Sequence, residues 1–575
     1  MEKIIVRRTA ADTIAEHWHD VHPLLRRIYH SRGIQDKTHL DYSLSALLPF
    51  DGLKDIDKAA KIIADAIMLQ RRILIIGDYD ADGATSTALA VRALRLFGAQ
   101  HVDFLVPNRF EYGYGLTPEI VKVANARQPD VLITVDNGIA SCEGVLLANQ
   151  LGIQVVITDH HLAGNELPQA SAIVNPNQPG DTFASKNLAG VGVIFYVMLA
   201  LRQTLRQRDW FTQQQRSEPN MAQLLDIVAL GTVADVVPLD HNNRVLVKNG
   251  LQRIRAGHCC GGITALLQVA KCNPSRAVTS DLGFFVGPRL NAAGRLDDMS
   301  LGITCLLSED ASAAMKIAQA LNELNQERRA IESGMQQQAL AILEKLTFNA
   351  QNDLPVALCL YDASWHQGVI GIVAARVKEK MHRPAICFSD ADDVSIKGSA
   401  RSIPGVHIRD ALDRVATKYP HLITKFGGHA MAAGLTLQRE NFAAFTAAFV
   451  DAVQEVVDKD ILQHKLLSDG ELAIADFCLP TASLLRDSGP WGQHFPEPLF
   501  DGEFKVLTQR VVGEKHLKLT LEVVEGLMVD AIAFNVPELI QQPMQRIHAA
   551  YRLDVNEYRN EQKLQLMIEH IRVVY

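Results

Sequence analysis

Residues 73–83, which read ILIIGDYDADG, decide the fold. Four apolar residues in a row are typical of a strand that is buried on both faces of a parallel sheet. Residues 84–97 (ATSTALAVRALRLF) then show helical periodicity, and Gly98 follows at a point where helices commonly end. The segment therefore predicts a strand, a turn rich in aspartate and a helix.

The same alternation continues along the chain. Strands are predicted at 102–106, 131–135 and 155–158, with a helix at 117–126 and another helix between the last two strands. Strands that alternate with helices in this way indicate a doubly wound α/β sheet. We therefore predict an α/β domain with a parallel sheet over residues 61–250.

The remaining sequence predicts several further domains, as expected for 575 residues. The predicted divisions are an N-terminal segment without a recognisable site (1–60), the α/β domain (61–250), a helical connector (251–350) with a long proline-free helix over 311–346, a smaller α/β domain (351–457) and a β-rich domain (458–575). Short alternating strands separated by turns favour a small OB-like β-barrel for the last of these.

Composition is that of an ordinary globular protein, with 48% hydrophobic and 21% charged residues. The net charge of −8 argues mildly against a nucleic-acid binder, although binding depends on the local field. The eight cysteines are scattered without a CxxC pair, which indicates free thiols in a reducing compartment. The N-terminus does not resemble a signal peptide, and the longest apolar run, 191–201, is too short to span a bilayer. We therefore expect a cytoplasmic protein that does not insert into membranes.

The strongest functional signal is a set of acidic residues and histidines that follow apolar runs. The set comprises Asp78, Asp80, Asp82, Asp136, Asp159, His160, His161 and Asp235. In an open α/β sheet, ligands bind at the carboxyl ends of the strands. We therefore expect these side chains, Asp235 included, to meet at strand ends along one edge of the sheet.

Several ionised carboxylates destabilise a shared cleft unless a cation compensates their charge. Aspartates with one or two histidines suit Mg²⁺ or Mn²⁺ better than Zn²⁺, which prefers thiolate and imidazole. The number of ligands exceeds the need of one ion, so we predict two ions about 3.5–4 Å apart. The alternative for a single residue such as Asp82 is a helix cap or a turn.

The motifs together resemble the DHH phosphoesterase superfamily, which is named for the Asp-His-His sequence at 159–161. Within it they resemble the branch of exonucleases specific for single-stranded DNA. The matching segments are GDYDADG (77–83), VDNGIA (135–140), TDHH (158–161), NLAGVGVIF (187–195), GTVADVVPL (231–239), GPRLNAAGRL (287–296), SWHQGVIGIVAARV (364–377), GSARS (398–402) and GGHAMAAG (427–434). They extend over roughly residues 70–435, most of the chain.

The resemblance implies roles for individual residues. The implied metal ligands are Asp80, Asp82, Asp136, His160 and Asp235. Asp78 is a conditional sixth ligand, because many relatives have a histidine where this chain has Ile76. Asp136, His160 and His161 are the implied catalytic residues, and His161 is expected to contact the scissile phosphate.

The smaller α/β domain resembles the DHH-associated domain, which closes over the substrate. Its glycine-rich segments fit phosphate binding, because glycine lets backbone N–H groups approach an anion and Arg401 offers a two-pronged donor. Ser399, His429 and, in the connector, Arg289 are further candidates for binding the substrate. The alternative is that these segments are tight turns with solvated arginines.

The C-terminal barrel resembles the OB-fold domain of this branch, and OB-folds bind single strands by stacking and charge. The candidate residues are Phe504, Lys505, Arg510, Lys515, His516 and Lys518. Their types are common, so a purely structural barrel is the alternative.

The implied activity is 5′→3′ exonucleolytic hydrolysis of single-stranded DNA to 5′-mononucleotides, with two Mn²⁺ or Mg²⁺ ions. A role in recombination and mismatch repair, with a single-strand-binding protein and a helicase as partners, and a monomeric state are further implications. One alternative is a DHH enzyme with a small substrate, such as pyrophosphate or a cyclic dinucleotide. Another is an inactive scaffold. About 110 additional β-rich residues and the GPRLNAAGRL segment favour a long polymer over a small substrate, and the retained ligand set disfavours the scaffold.

Overall fold

The computed structural model describes residues 3–9, 18–108, 112, 115–349, 355–458, 460–558 and 561–574. The strands are β1 (Ile4–Arg7), β2 (Ile73–Gly77), β3 (Val102–Leu105), β4 (Val131–Val135), β5 (Gln154–Thr158), β6 (Ala172–Val174), β7 (Leu358–Tyr361), β8 (Ala385–Asp390), β9 (Ser395–Arg401), β10 (Lys425–Gly428), β11 (Ala432–Gln438), β12 (Lys465–Ser468), β13 (Phe500–Val512), β14 (His516–Val524), β15 (Leu527–Ala533), β16 (Arg546–Tyr558) and β17 (Glu561–Val574). The helices are α1 (Pro23–Ser31), α2 (Ile56–Met68), α3 (Ala81–Phe97), α4 (Pro118–Asn125), α5 (Cys142–Gln150), α6 (Gly190–Gln207), α7 (Trp210–Gln213), α8 (Leu225–Ala234), α9 (His241–Arg255), α10 (Gly261–Val269), α11 (Gly287–Leu296), α12 (Ser300–Leu307), α13 (Ala311–Asn349), α14 (Ile370–Met381), α15 (Ile408–Lys418), α16 (Phe442–Gln454) and α17 (Leu479–Asp487).

The chain forms two compact units. The large unit comprises Thr9–Asn325 and Glu471–Tyr575, and the small unit comprises Met1–Arg8 and Gln326–Gly470. The division falls inside the long helix α13, at 325/326. The boundary that the sequence suggests at 350/351 lies outside the described residues.

The large unit contains a five-stranded parallel sheet with the order β3-β2-β4-β5-β6. Every residue of β2 and of β4 is buried, which explains their continuous apolar sequences. Ile73 and Ile75 pack into the core on one face, and Leu74 and Ile76 pack into the core on the other. The predicted α/β fold with a parallel sheet is confirmed.

The strand order places a switch point at β2 and β4. The chain leaves β2 for β3 on one side and then crosses to β4 on the other side of β2. A crevice opens at such a point beyond the carboxyl ends of the two strands. The GDYDADG segment and Asp136 follow directly from these two ends.

Asp235 does not follow a strand, and this part of the sequence prediction is wrong. The apolar run before it lies in helix α8, and Asp235 is the residue that ends this helix. The helix is buried almost all round, so its sequence has no amphipathic pattern. A short apolar run of this kind does not distinguish a buried helix from a buried strand.

The small unit contains a five-stranded sheet with the order β10-β11-β9-β8-β7. Only β7 and β8 pair in parallel, and the other neighbours are antiparallel. A separate parallel pair joins β1 to β12, with Ile4 opposite Lys465 and Arg7 opposite Ser468. The beginning of the N-terminal segment therefore belongs to the small unit.

The C-terminal strands form a closed barrel with the order β13-β14-β15-β17-β16, in which β15 and β17 are parallel. This confirms the predicted OB-like barrel. The prediction that Phe504 stacks on bases is wrong, because its side chain is only 3% exposed and packs edge-on against Phe477 and Tyr551. Alternation in β13 places it on the inner face of the barrel.

All eight cysteines are free thiols. Among the described residues, no helix combines the length and the hydropathy that a membrane span requires.

We predict that Ile75→Ala destabilises the large unit by about 2–5 kcal/mol, because it leaves a cavity in a fully buried strand. The measurement is urea unfolding followed by circular dichroism. Leu69→Ala, at a side chain that is 62% exposed, is the control and should change stability by less than about 0.5 kcal/mol. Equal midpoints for the two variants would contradict the buried position of β2.

Candidate metal centre

The loop from β2 to α3 carries three aspartates with different local roles. Asp80 caps helix α3, since its Oδ1 accepts hydrogen bonds from the N–H groups of Asp82 (2.9 Å) and Gly83 (3.0 Å). The capping role that the sequence left open for Asp82 thus belongs to Asp80. Asp78 is buried and Asp80 is partly buried.

Asp82 is 1% exposed and lies against the first turn of helix α6. Its carboxylate accepts hydrogen bonds from the N–H groups of Gly190 (2.6 Å) and Val191 (2.9 Å). The positive end of a helix stabilises a carboxylate in this position. Only glycine fits at 190, because a Cβ atom there would lie 2.6 Å from the Cβ of Asp136.

Asp136 follows β4 with a φ of 62°, a left-handed conformation that turns the chain sharply at the end of the strand. The next residue, Asn137, stabilises this turn. Its amide donates to the carbonyl oxygens of Ile76 (3.1 Å) and Val135 (2.9 Å), and so joins the ends of β2 and β4. Asn137 was not among the residues predicted from the sequence, although it lies inside the VDNGIA segment.

Asp159 orients the two histidines that follow it. Its Oδ1 accepts hydrogen bonds from the backbone N–H groups of His160 (2.7 Å) and His161 (3.1 Å) and lies 2.7 Å from His161 Nδ1. Asn177 and Asn175 donate to the carbonyl oxygens of His160 (2.6 Å) and His161 (2.9 Å). These asparagines were missed, because the VNPN sequence reads only as a turn.

The imidazole of His160 lies among three carboxylates. Its Nε2 is 3.1 Å from Asp136 Oδ1, 3.5 Å from Asp235 Oδ2 and 4.0 Å from Asp82 Oδ2. Asp235 therefore reaches the cluster from the end of α8 and Asp82 from the first turn of α3, while Asp136 and His160 follow strand ends. The prediction that these residues share one edge of the sheet holds for their positions, despite the error about Asp235.

Burial makes the carboxylates costly to ionise. Burial, together with the nearby charge of Asp80, raises the pKa of Asp82 to about 7. Burial and the charge of Asp82 also raise the pKa values of Asp136 and Asp235 well above their ordinary range. Repulsion of this kind is relieved by a cation.

The pair of Asp159 and His161 behaves in the opposite way. Burial raises the pKa of Asp159, but the hydrogen bond and charge of His161 outweigh burial and lower it to about 2. Burial lowers the pKa of His161, but the hydrogen bond to Asp159 raises it to about 9. The pair is therefore an ion pair at neutral pH.

The donor set fits divalent metal ions. Three groups have ligand atoms close enough to share an ion: Asp136 with His160 and His161; Asp82 with His160 and Asp235; and Asp78 with Asp80 and Asp136. Carboxylate oxygens with one or two imidazoles suit Mn²⁺ and Mg²⁺. Asp136 and His160 each belong to two groups, so adjacent ions would share ligands.

Helix α11, from the GPRLNAAGRL segment, supports the aspartate loop. The Asn291 side chain accepts a hydrogen bond from the N–H of Ala81 (2.9 Å). A Cβ atom at Gly294 would lie 1.8 Å from the carbonyl oxygen of Tyr79, so glycine allows the helix to touch the loop. These contacts explain why this segment accompanies the metal-site motifs.

Arg289, on the same helix, is 7% exposed. Its guanidinium donates to the carbonyl oxygen of Phe285 (2.6 Å) and to the side chain of Asn322 (3.1 Å). The substrate-binding role of Arg289 stays a prediction.

An exposed aromatic pair precedes this helix. Phe284 is 72% exposed and Phe285 is 41% exposed, on a π-helical turn over Asp281–Val286. Two adjacent exposed phenylalanines offer a joined apolar surface to a ligand, and π-turns are frequent at functional sites. The signal was present in the sequence as adjacent phenylalanines that one valine separates from GPRLN.

In the small unit, Ser399 and Arg401 lie on one face of strand β9, and Arg401 Nη1 is 3.2 Å from Ser399 Oγ. A Cβ atom at Gly371, in the first turn of α14, would lie 2.9 Å from both side chains. His429 lies in the β10–β11 turn, where its N–H donates to Ala432 O (2.8 Å). The structure thus brings Ser399 and Arg401 together beside the N-terminus of α14, and their role in binding substrate stays a prediction.

Comparison with known families identifies three segments of the chain. Residues 72–232 match the DHH family, N-terminal domain; residues 353–455 match the DHHA1 domain; and residues 468–570 match the RecJ OB domain. The resemblance to the DHH superfamily is confirmed.

Similar proteins extend over the whole chain. The single-stranded-DNA-specific exonucleases RecJ of Salmonella typhimurium and Escherichia coli are 52% and 51% identical to it, over 98% and 99% of both chains. The crystal structure of RecJ from Thermus thermophilus in complex with Mn²⁺ matches all of this chain and 80% of its own, with 28% identity and a TM-score of 0.79. A Mg²⁺ complex of the same protein matches with a TM-score of 0.75. The chain belongs to the RecJ family of single-stranded-DNA-specific exonucleases, within the DHH superfamily.

Proposed function

We propose that the protein is a 5′→3′ exonuclease that removes 5′-mononucleotides from single-stranded DNA by two-metal hydrolysis. The observation that carries this proposal is the position of His160 among Asp82, Asp136 and Asp235 at the switch point of the sheet. The names of the relatives and the metal ions in their structures support the same chemistry.

The proposed ligands divide into two overlapping sets. Asp78, Asp80 and Asp136 would hold one ion, and Asp82, His160 and Asp235 would hold the other, with Asp136 close to both sets. Bound ions of this kind lower the pKa of a coordinated water and offset charge on the attacking and leaving oxygens. The protein contributes ligands that the turn at Asn137 and the N-terminus of α6 hold in place before substrate arrives.

His161 is the proposed contact to the scissile phosphate. Asp159 holds its Nδ1, and the raised pKa of His161, about 9, keeps the imidazole protonated at neutral pH. A positively charged donor stabilises the negative charge that builds up on phosphate oxygens during the reaction. Asp159 acts through His161 and is therefore a positioning residue.

The 5′ end of the strand is assigned to the small unit. Ser399 and Arg401 offer a hydroxyl and a guanidinium beside the N-terminus of α14, where the absence of a side chain at Gly371 lets both of them approach the helix. His429 is proposed as a further phosphate contact in the small unit, and Arg289 is proposed separately as a substrate contact of the large unit. Recognition of a terminal phosphate would give the enzyme its polarity.

Bases further along the strand have two proposed contacts in the large unit. Phe284 is the more exposed of the aromatic pair beside α11. On the barrel, Phe534 is 48% exposed and packs edge-on against His516. Aromatic faces of this kind bind unpaired bases without regard to sequence.

We also propose that the enzyme acts in recombination and mismatch repair, with a single-strand-binding protein and a helicase as partners. The proposed enzyme is monomeric and cytoplasmic. These rest on the family resemblance alone.

The decisive experiment uses one oligonucleotide labelled at the 5′ end in one reaction and at the 3′ end in another, with Mn²⁺. We expect early release of the 5′ label as mononucleotide, a shortening ladder that keeps the 3′ label, and an intact duplex control.

Asp136→Asn should lower the rate of this hydrolysis at least about 100-fold, because it removes a shared ligand. Asp57→Asn, at an exposed position on α2, should not. Early loss of the 3′ label would overturn the polarity, and an active Asp136→Asn variant would overturn the mechanism.

Metal binding should stabilise the protein more as pH rises. Without metal, the raised pKa of Asp82, about 7, means that folding stability falls as pH increases from about 4 to about 7. The raised pKa of His161 removes further stability as pH rises towards about 9. Ions bind the deprotonated carboxylates and reverse this loss.

Thermal unfolding with Mn²⁺ or EDTA at about pH 5.5 and about pH 8 measures this effect. The rise in Tm on adding Mn²⁺ should be larger at the higher pH, and Asp136→Asn should reduce it. An equal rise at both pH values would show that protons do not compete with the ions for the carboxylates, and would contradict the raised pKa of Asp82.

Phe284→Ala should weaken binding of a phosphorothioate-linked oligothymidylate about tenfold, because it removes one stacked base. Fluorescence anisotropy without metal measures the affinity. Leu146→Ala removes an apolar side chain that is 52% exposed on α5 and serves as the control. Unchanged affinity of the Phe284→Ala variant would remove this residue from the DNA path.

A further inference from the structure

A cavity of about 550 Å³ in the large unit is lined by four arginines. Arg92 and Arg95 come from α3, Arg253 comes from α9, and Arg216 follows α7. Among the described residues, none of these four guanidinium groups forms a salt bridge with a carboxylate. A protein with a net charge of −8 thus concentrates four guanidinium groups in one pocket.

The carboxylates of the lining do not balance this charge. Asp226 is 1% exposed, and one of its oxygens accepts a hydrogen bond from the N–H of Cys260 (2.7 Å). Burial raises the pKa of Asp226, and the charge of Arg253 opposes that effect. Glu309 is the other acidic residue of the lining, and it is exposed. Four permanent positive charges therefore face at most two negative ones.

The pocket is separate from the metal centre. Asp82 lies in the first turn of α3, whereas Arg92 and Arg95 lie towards its other end, about 15–20 Å away along the helix axis. Helix α8 shows the same arrangement, with Asp226 near its start and Asp235 at its end. The two helices that carry metal ligands at one end thus help to line this pocket at the other.

The shape and chemistry of the lining indicate the class of ligand. A volume of about 550 Å³ lies within the range of small-ligand sites. A guanidinium group can donate two parallel hydrogen bonds to the oxygens of one phosphate, and it can stack on a flat aromatic ring. Leu96, Leu224 and Leu307 add apolar walls. An extended acidic peptide would instead be expected to occupy a long groove.

We propose that this pocket, the arginine pocket, is a second binding site for the phosphate of a nucleotide, distinct from the metal centre. The nucleotide is either a free nucleoside 5′-monophosphate or part of a DNA strand. Both sources present the same phosphate chemistry to Arg92, Arg95, Arg216 and Arg253. The site does not depend on the proposed reaction, because binding requires neither metal nor hydrolysis.

The test is calorimetric titration of the full-length, EDTA-treated protein with dAMP. The Arg401→Ala background weakens the phosphate site that is proposed in the small unit. Adding Arg95→Glu and Arg216→Glu, both at exposed positions, should weaken dAMP binding at least about tenfold. Arg71→Glu makes the same charge change at an exposed position outside the lining and should have no effect. Exonuclease activity of the Arg95→Glu/Arg216→Glu protein, measured without the Arg401→Ala change, reports on the proposed function separately.

Further ligands separate the two sources. In one outcome, the protein binds a phosphorothioate oligothymidylate but not dAMP. If the affinity for the oligothymidylate then depends less on salt in the Arg95→Glu/Arg216→Glu variant, the proposal is supported and the ligand is a DNA strand. Equal binding of dAMP with and without the two glutamates overturns it. Equal affinity for deoxyadenosine, or binding of a hexa-aspartate peptide in place of dAMP, also overturns it.

Discussion

Mutual repulsion among buried carboxylates is the constraint on which the rest of the large unit depends. Asp82, Asp136 and Asp235 lie within 4.0 Å of one imidazole, and Asp82 and Asp136 are almost completely buried. Such an arrangement costs folding free energy until cations occupy it. The surrounding fold must therefore hold the ligands rigidly enough that they do not simply move apart.

Rigidity comes from backbone groups and small residues rather than from additional charges. The N-terminus of α6 fixes Asp82, Asn137 joins two strand ends, and Asn291 fixes the loop between β2 and α3. Glycines at 190 and 294 let two helices approach more closely than any side chain would permit. Residues inside several of the segments that match the superfamily, including VDNGIA, NLAGVGVIF and GPRLNAAGRL, thus support the site without being ligands.

The sequence predicted the parts of this arrangement that follow from local pattern. The apolar run of β2 predicts a strand that is buried on both faces of a sheet. The aspartates that follow it mark the edge where the carboxyl ends of the parallel strands lie. Asp235 was assigned to the correct cluster but to the wrong kind of element, since α8 is buried all round and has no amphipathic pattern. Phe504 was misassigned because burial inside a barrel depends on its register, which residue type does not reveal. The arginine pocket could not be predicted, because its residues come from four separate segments of the chain.

The pairing of β1 with β12 has a consequence for how the protein is made. The two strands lie about 460 residues apart along the chain, yet they are parallel neighbours, joined by hydrogen bonds such as that from Ile4 N–H to His464 O (2.9 Å). During synthesis, the first strand leaves the ribosome long before its partner exists. Residues 4–7 therefore have no strand partner while the whole large-unit sheet is translated, and the β1–β12 pair can form only after residue 468 has been translated.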